Sequence, residues 1–301
     1  MESLSTICTG VAAALLLAAC SAGGASSGPV TSTRSASSST VADFIPHGRS
    51  SPRASYVTIV IMENRDYASI IGSSQAPYIN NTLVPISALM TNSHAIGHPS
   101  EPNYLALFSG STQGVSDDSC PHTFSAANLG SELIAAKLTF AGYSESMPSN
   151  GFTGCTSPNG LYARKHNPWV NFSNVPAKSN LVYKKFPVKK MPTVSIVVPN
   201  LCDDMHDCST QAGDTWLSQH LPAIIKWDTA HNGLLILTWD EASPDNGGNP
   251  IATLLTGPMI TAGQYSQNIT HYDVLRTIED IYGLTCTANA CSAGDLTGMW
   301  N

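Results

Sequence analysis

Charge is scarce in this chain. Lys and Arg number 14 and Asp and Glu 21 among 301 residues, a charged fraction of 12% against about 25% in an ordinary globular domain. The balance of −7, with no extended basic face, argues against a nucleic-acid binder, whose affinity rests on neutralising phosphates. The one dense basic cluster, Lys184, Lys185, Lys189 and Lys190, reads as a solvated face. Long apolar runs are missing near the N-terminus, where Val11 to Ala19 is too short to span a bilayer as a helix. No CxxC pair occurs, which argues against a structural zinc site. What is present is a 42% hydrophobic fraction, enough to bury a core of ordinary size and to exclude disorder for most of the chain.

The apolar stretch before Cys20 reads as a secretory signal over residues 1–20. Leu17-Ala18-Ala19-Cys20 also resembles a bacterial lipobox, although the segment before Val11 carries no Lys or Arg. The expectation is an exported protein, either a cell-surface lipoprotein held through a lipid on Cys20 or a secreted chain. Residues 21–53, rich in Ser, Gly and Thr, bury too little apolar surface to offset their ordering entropy and read as a tether. Residues 54–301 suit one large α/β domain.

If Cys20 carries a lipid and Cys8 leaves with the signal, six of eight cysteines remain, and an even number in an exported protein implies disulfides. Six cysteines allow 15 pairings. Nearness in sequence favours Cys202 with Cys208 and Cys286 with Cys291, leaving Cys120 and Cys155.

Short β-branched apolar runs at Tyr56 to Met62, Val194 to Val198, Leu234 to Trp239 and Ile251 to Leu255 read as buried parallel strands. Helix-period segments lie between and after them, at Ser131 to Ala141, Thr215 to Ala230 and His271 to Gly283. The alternation predicts a three-layer α/β/α sandwich with a mostly parallel central sheet. Three of the apolar runs are followed by polar residues: Glu63-Asn64, then Asp203-Asp204 with His206, then Asp240-Glu241. Because ligands of open α/β sheets bind beyond the carboxyl ends of the strands, these three exits predict one converging site.

Glu63, Asn64, Asp240 and Glu241 offer oxygen without sulfur, the ligand set of a hard or borderline divalent cation. His94, His98, His166, His206 and His271 add a high density of imidazoles. In GHPSEPNYLALFSG, Pro99 disfavours helix upstream and Pro102 is tolerated in a first turn. Ser100 therefore sits at a helix N-terminus, either as a cap or as a nucleophile favoured by the positive end of the helix. Its neighbours do not spell the GxSxG hydrolase elbow. Tyr104, Trp169, Trp216 and Trp239 read as core or pocket walls.

The segments IVIMENRDYASIIG, GHPSEPNYLALFSG, KHNPW, PNLCDDMHDCS, TWDEA and HYDVLRTIEDIYGL, in order from Tyr56 to Leu284, resemble the phosphoesterase family of bacterial secreted acid phosphatases and non-haemolytic phospholipases C, within the alkaline-phosphatase superfamily. The compact length is most like its mycobacterial acid phosphatases. The resemblance implies that Glu63, Asn64, Asp240 and Glu241 hold one divalent metal ion, with Ser100 completing the shell and attacking phosphorus. It implies that His166, His206 and His271 bind the phosphoryl group or protonate the leaving oxygen, and that Asn103, His98 and Asp204 contact substrate. Thr270 stands where many phospholipase relatives have Asp, and the extra His/Asp set of a two-metal alkaline phosphatase is missing. A single-metal site with histidine cations replacing the second metal is the consistent reading.

The expected function is therefore phosphomonoester hydrolysis through a phosphoserine, on a phosphorylated small molecule or lipid headgroup, favoured at acidic to neutral pH. A phospholipase C or other phosphodiesterase uses the same residues. A lipoprotein that binds an anion without hydrolysing it shares the signal, tether and α/β core.

Overall fold

The runs YVTIVIM, VSIVV and GLLILTW form strands whose residues are nearly all buried, as parallel strands covered on both faces must be. A computed structural model describes residues 54–301; the expected signal, tether and lipidated Cys20 lie outside the described residues. In chain order the elements are β1 (Tyr56–Met62), α1 (Tyr67–Ile70), β2 (Ala88–His94), α2 (Ser100–Ser109), α3 (Leu129–Ala135), β3 (Phe140–Ser144), β4 (Asn180–Val182), β5 (Val194–Val198), α4 (Thr210–His231), β6 (Gly233–Trp239), β7 (Pro250–Thr256), β8 (Gly263–Tyr265), β9 (Ile269–Thr270) and α5 (His271–Tyr282).

One sheet runs β4-β3-β5-β1-β6-β7-β2-β8, with β9 also paired to β2. The strands from β4 to β6 in that order are mutually parallel, so their carboxyl ends share one edge. β7 is antiparallel to both β6 and β2, which corrects the expectation that Ile251 to Leu255 belongs to the parallel set. Only residues 240–249 join β6 to β7, without the crossover helix that a parallel return requires.

Alternation along the strands builds two cores. Val57, Ile59 and Ile61 join Leu234 and Ile236 beneath α2, α3 and α5, while Val60 and Met62 join Leu235, Leu237 and Trp239 against α4. The result is the expected three-layer sandwich. The helix expected over Ser131 to Ala141 ends sooner: α3 stops at Ala135, Lys137 turns into the left-handed region at φ 61°, and Phe140 and Ala141 open β3. The disulfides are Cys120–Cys155, Cys202–Cys208 and Cys286–Cys291. Among the described residues no helix is long and apolar enough to cross a membrane.

Candidate active site

Strand register assembles the site. Met62 of β1 pairs with Trp239 of β6, so the next residues, Glu63 and Asp240, leave the sheet side by side. The backbone seals the junction: Asp240 N–H donates to the Met62 carbonyl at 2.9 Å, and Glu63 N–H donates to the Asp204 carbonyl at 2.8 Å. Asn64 turns at φ 49° and donates its N–H to Asp240 Oδ1 at 3.0 Å. The three strand exits thus converge, as the sequence implies.

Ser100 opens α2 as its first helical residue, with Pro99 in the capping position and no side-chain cap bond. The hydroxyl is therefore free to face the carboxylates. Its Oγ lies 3.1 Å from Glu63 Oε2 and 3.3 Å from Glu241 Oε1, and its single proton serves one acceptor at a time. Asp118 takes over the capping role, accepting the Glu101 N–H at 3.0 Å through Oδ1 and holding the Lys165 ammonium at 2.7 Å through Oδ2.

The carboxylates are crowded in a dry site. Burial first, then repulsion from Asp240 and Asp204, raises Glu63 well above the usual carboxyl range. Asp240 is pushed up to about 7 by burial and then by Glu241. Glu241 also rises to about 7, chiefly through burial, and Asp204 is raised by burial, then by Asp240. Asn64 Oδ1 and Asp240 Oδ2 are buried without any hydrogen-bond partner. Buried oxygens left unpaired are costly, and a cation among them relieves both the orphaned atoms and the repulsion. Glu63, Asn64, Ser100, Asp240 and Glu241 therefore fit a hard cation. Glu63, His166 and His206 form an overlapping group, with ligand atoms all within 4.8 Å of one another.

The histidines differ. His166 is buried, its Nε2 3.1 Å from Glu63 Oε1 and its Nδ1 3.6 Å from Asp204 Oδ2, though the first approach lacks hydrogen-bond geometry. Burial, then Lys165, drives its pKa well below the ordinary value. His271 is lowered to about 4 by burial, partly offset by its 2.7 Å contact from Nε2 to the Asp240 carbonyl. A carbonyl only accepts, so Nε2 carries the hydrogen. Burial thus disfavours the charged form of both rings, against the expectation of histidine cations at these two positions. The carbonyl also answers what replaces the missing aspartate as partner of His271, since Thr270 instead caps α5. His206 is half-buried, and its Nδ1 meets Asp207 Oδ1 at 2.7 Å.

The other expected residues take varied places. His98 Nδ1 contacts Glu241 Oε2 at 2.6 Å. Asp204 is buried, accepts the His206 N–H at 2.7 Å through Oδ1 and leaves Oδ2 without a hydrogen bond. Asn103 differs from expectation: its Oδ1 accepts the Ile96 and Gly97 N–H groups and its amide donates to the Gly97 and Pro99 carbonyls. It pins the loop before Ser100 instead of presenting its amide to substrate. His94 bonds Asn92 and the Gly248 carbonyl and plays no part here.

Two residues were not singled out for chemistry. Tyr104 donates its hydroxyl to Glu63 Oε1 and stacks on His166, ring centroids 5.1 Å apart. Its place four residues after Ser100, on the same helix face, was the available signal. Burial works to lower the pKa of Lys165, but Asp118, then Glu63 and Asp240, more than offset it and leave it raised. Lys165 is thus a held cation beside the carboxylates, and its only sequence signal was adjacency to His166.

Comparison with known proteins agrees with this architecture. A phosphatidylinositol-3-phosphatase of Mycobacterium tuberculosis is 46% identical over 256 residues, covering 83% of this chain and 84% of its own length. An acid phosphatase of Aspergillus fumigatus is 28% identical over 75% of this chain, which spans 54% of that protein. A solved alkaline-phosphatase-superfamily protein from Vibrio parahaemolyticus shares the fold at 10% identity and a TM-score of 0.57, covering 80% of this chain and 70% of that one. Residues 73–285 match the Phosphoesterase family, and the chain belongs to that family.

Proposed function

We propose that this chain is an exported, metal-dependent phosphomonoesterase that works through a phosphoserine on Ser100. The observation that carries the reading is the Ser100 hydroxyl, set at the start of α2 between Glu63 and Glu241, beside buried oxygens that lack partners. A passive anion pocket has no use for such a cluster of carboxylates. Glu63, Asn64, Ser100, Asp240 and Glu241 would hold one divalent ion. When bound, that ion favours the ionised serine and stabilises negative charge on the transferring group.

The protein's own groups account for the proton steps. Ser100 Oγ bonds to phosphorus as the bond to the ester oxygen breaks, and its proton passes to Glu63 or Glu241. His206 is the acid for the departing oxygen: it is the most accessible of the three histidines, and Asp207 orients its ring. Water then attacks the phosphoserine and gives one proton to His206, the bond from phosphorus to Ser100 Oγ breaks, and the proton held on Glu63 or Glu241 returns to Ser100 as phosphate leaves. Lys165, needing only to swing from Asp118, offers a permanent positive charge to phosphate oxygens, whereas burial disfavours the charged forms of His166 and His271. Phosphorylated small molecules and lipid headgroups both fit; the name of the mycobacterial relative supports the second.

The test is hydrolysis of matched mono- and diesters by the full chain with disulfides intact, beside Ser100→Ala and a chelated sample. Acid-quenched reactions are examined for phosphate on the Ser100 peptide. Monoester turnover lost in Ser100→Ala, with trapped phosphoserine, supports the proposal. Preference for diesters moves the assignment to a phosphodiesterase. Absence of turnover by folded protein returns it to an anion binder.

A further inference from the structure

Residues 183–191, YKKFPVKKM, carry charge of the opposite sign to the chain as a whole. Lys184, Lys185, Lys189 and Lys190 are four of 14 Lys and Arg side chains in a chain of net −7. All four are exposed. The lysine and arginine ion pairs among the described residues involve Lys165 and Arg276 instead. Between the lysines, Phe186 is buried and Val188 and Met191 are half-buried. Phe186 and Val188, with Tyr183, Lys185 and Lys189, line a cavity of about 590 Å³ with mainly apolar walls. Tyr183 and His220 both line it, Tyr183 OH lying 2.7 Å from His220 Nδ1, and His220 rests behind on Trp216 at 4.2 Å between ring centroids.

The place of this feature in the fold matters as much as its chemistry. β4 runs parallel to the strands that deliver Glu63 and Asp240, so Tyr183 leaves the sheet at the edge that carries the site, and the segment then descends beside α4 toward the opposite edge, where Val194 opens β5. A second cavity of about 430 Å³ shares Gln219 and His220 with the first and reaches Asp203, the neighbour of Asp204. A merely solvated lysine face requires no apolar chamber beneath it. Nucleic acid or an acidic protein would use the charge and leave the chamber unfilled, and a neutral apolar ligand would ignore the lysines. Anionic heads above hydrocarbon use both.

We infer that residues 183–191 dock this face onto an anionic lipid bilayer, the lysines meeting lipid phosphates and the apolar cavity receiving acyl chain. Each lysine near such a surface strengthens binding about fivefold, while the acidic remainder of the chain is repelled. The inference concerns a surface outside the site and does not depend on the phosphoryl-transfer reading.

The test is co-sedimentation of the full chain carrying Cys20→Ser, which cannot be lipidated, with vesicles of phosphatidylcholine alone or of equal parts phosphatidylcholine and phosphatidylserine. Binding should be confined to the anionic vesicles and weaken with salt. It should fall by roughly two orders of magnitude in Lys185→Gln/Lys189→Gln/Lys190→Gln, and fall in Val188→Ser without added salt sensitivity. Turnover of a soluble phosphomonoester should be unchanged in the lysine variant. If the parent turns over no ester, sedimentation still decides the docking question. Equal binding to neutral vesicles, anionic binding indifferent to the lysines, or retention by soluble polyglutamate without vesicle binding would each overturn the inference.

Discussion

Asp228→Asn should flatten the dependence of stability on pH. Asp228 lies on α4, 1% exposed, with neither carboxylate oxygen hydrogen-bonded, and burial pushes it from 3.8 up to about 7. Below about pH 4 the folded and unfolded chains both hold the proton, and its stabilising contribution is intact. Between about 4 and 7 the unfolded chain releases the proton while the folded chain keeps it, so stability falls as pH rises and levels off above about 7. About three pH units at about 1.4 kcal/mol each set a ceiling near 4 kcal/mol. Asp228 borders a cavity of about 310 Å³, and water entering there weakens the effect to about 2–4 kcal/mol. Urea unfolding of parent and variant at about pH 4, about 5.5 and about 8 measures the difference. Other raised acids, Glu101 and Glu279 among them, cancel in it. A difference that stays constant with pH, or a parent that gains on the variant as pH rises, refutes the reasoning.

Tyr104→Phe removes a hydroxyl donated to buried Glu63 and should lower kcat about 10- to 100-fold, the worth of a hydrogen bond to a charged group, with unfolding midpoints showing that the fold persists. Lys165→Met should raise KM and the inhibition constant of inorganic phosphate more than it lowers kcat, and Lys165→Arg should restore part of the loss; equal effects on substrate and on a neutral competitor would deny the charge its role. Cys120→Ser/Cys155→Ser opens a 35-residue span and should cost about 4 kcal/mol of stability, whereas Cys202→Ser/Cys208→Ser should cost about 2 yet reduce turnover more, as paired unfolding and rate measurements would show. Activity removed by chelation should return with magnesium, calcium or manganese if the oxygen ligands hold the ion; exclusive rescue by zinc would favour Glu63, His166 and His206.

Much of the architecture was legible because burial leaves a trace in composition. β1, β5 and β6 stand out as unbroken apolar runs, and the polar residues after them mark the site's edge. β2 was not read because its second half, Thr91 to His94, is polar. The direction of β7 was not visible in its own residues, since direction belongs to the connection before it. Among site residues, Glu63, Asn64, Ser100, Asp240 and Glu241 converge as their positions imply. The downward shift of His166 and His271 was hidden, because sequence names an imidazole but not how deeply it is buried. Asn103 sits at the position the family resemblance indicates, yet its amide is taken up by a loop whose path no short motif specifies. Asp118, which links the start of α2 to Lys165, lies in a stretch with no periodicity at all.

The Cys202–Cys208 bridge sets a condition of timing on this site. It closes a ring around Asp204 and His206, where Met205 takes φ 83° and the Asp207 N–H returns to the Leu201 carbonyl at 2.7 Å. Ser100 and the carboxylates stand on the helix and the strand ends, but the turn that carries the proposed acid is clasped only once two sulfurs have been oxidised. A newly made chain in reducing surroundings would thus hold its nucleophile before its acid is set. Oxidation would then separate the place where the chain is built from the place where it is armed.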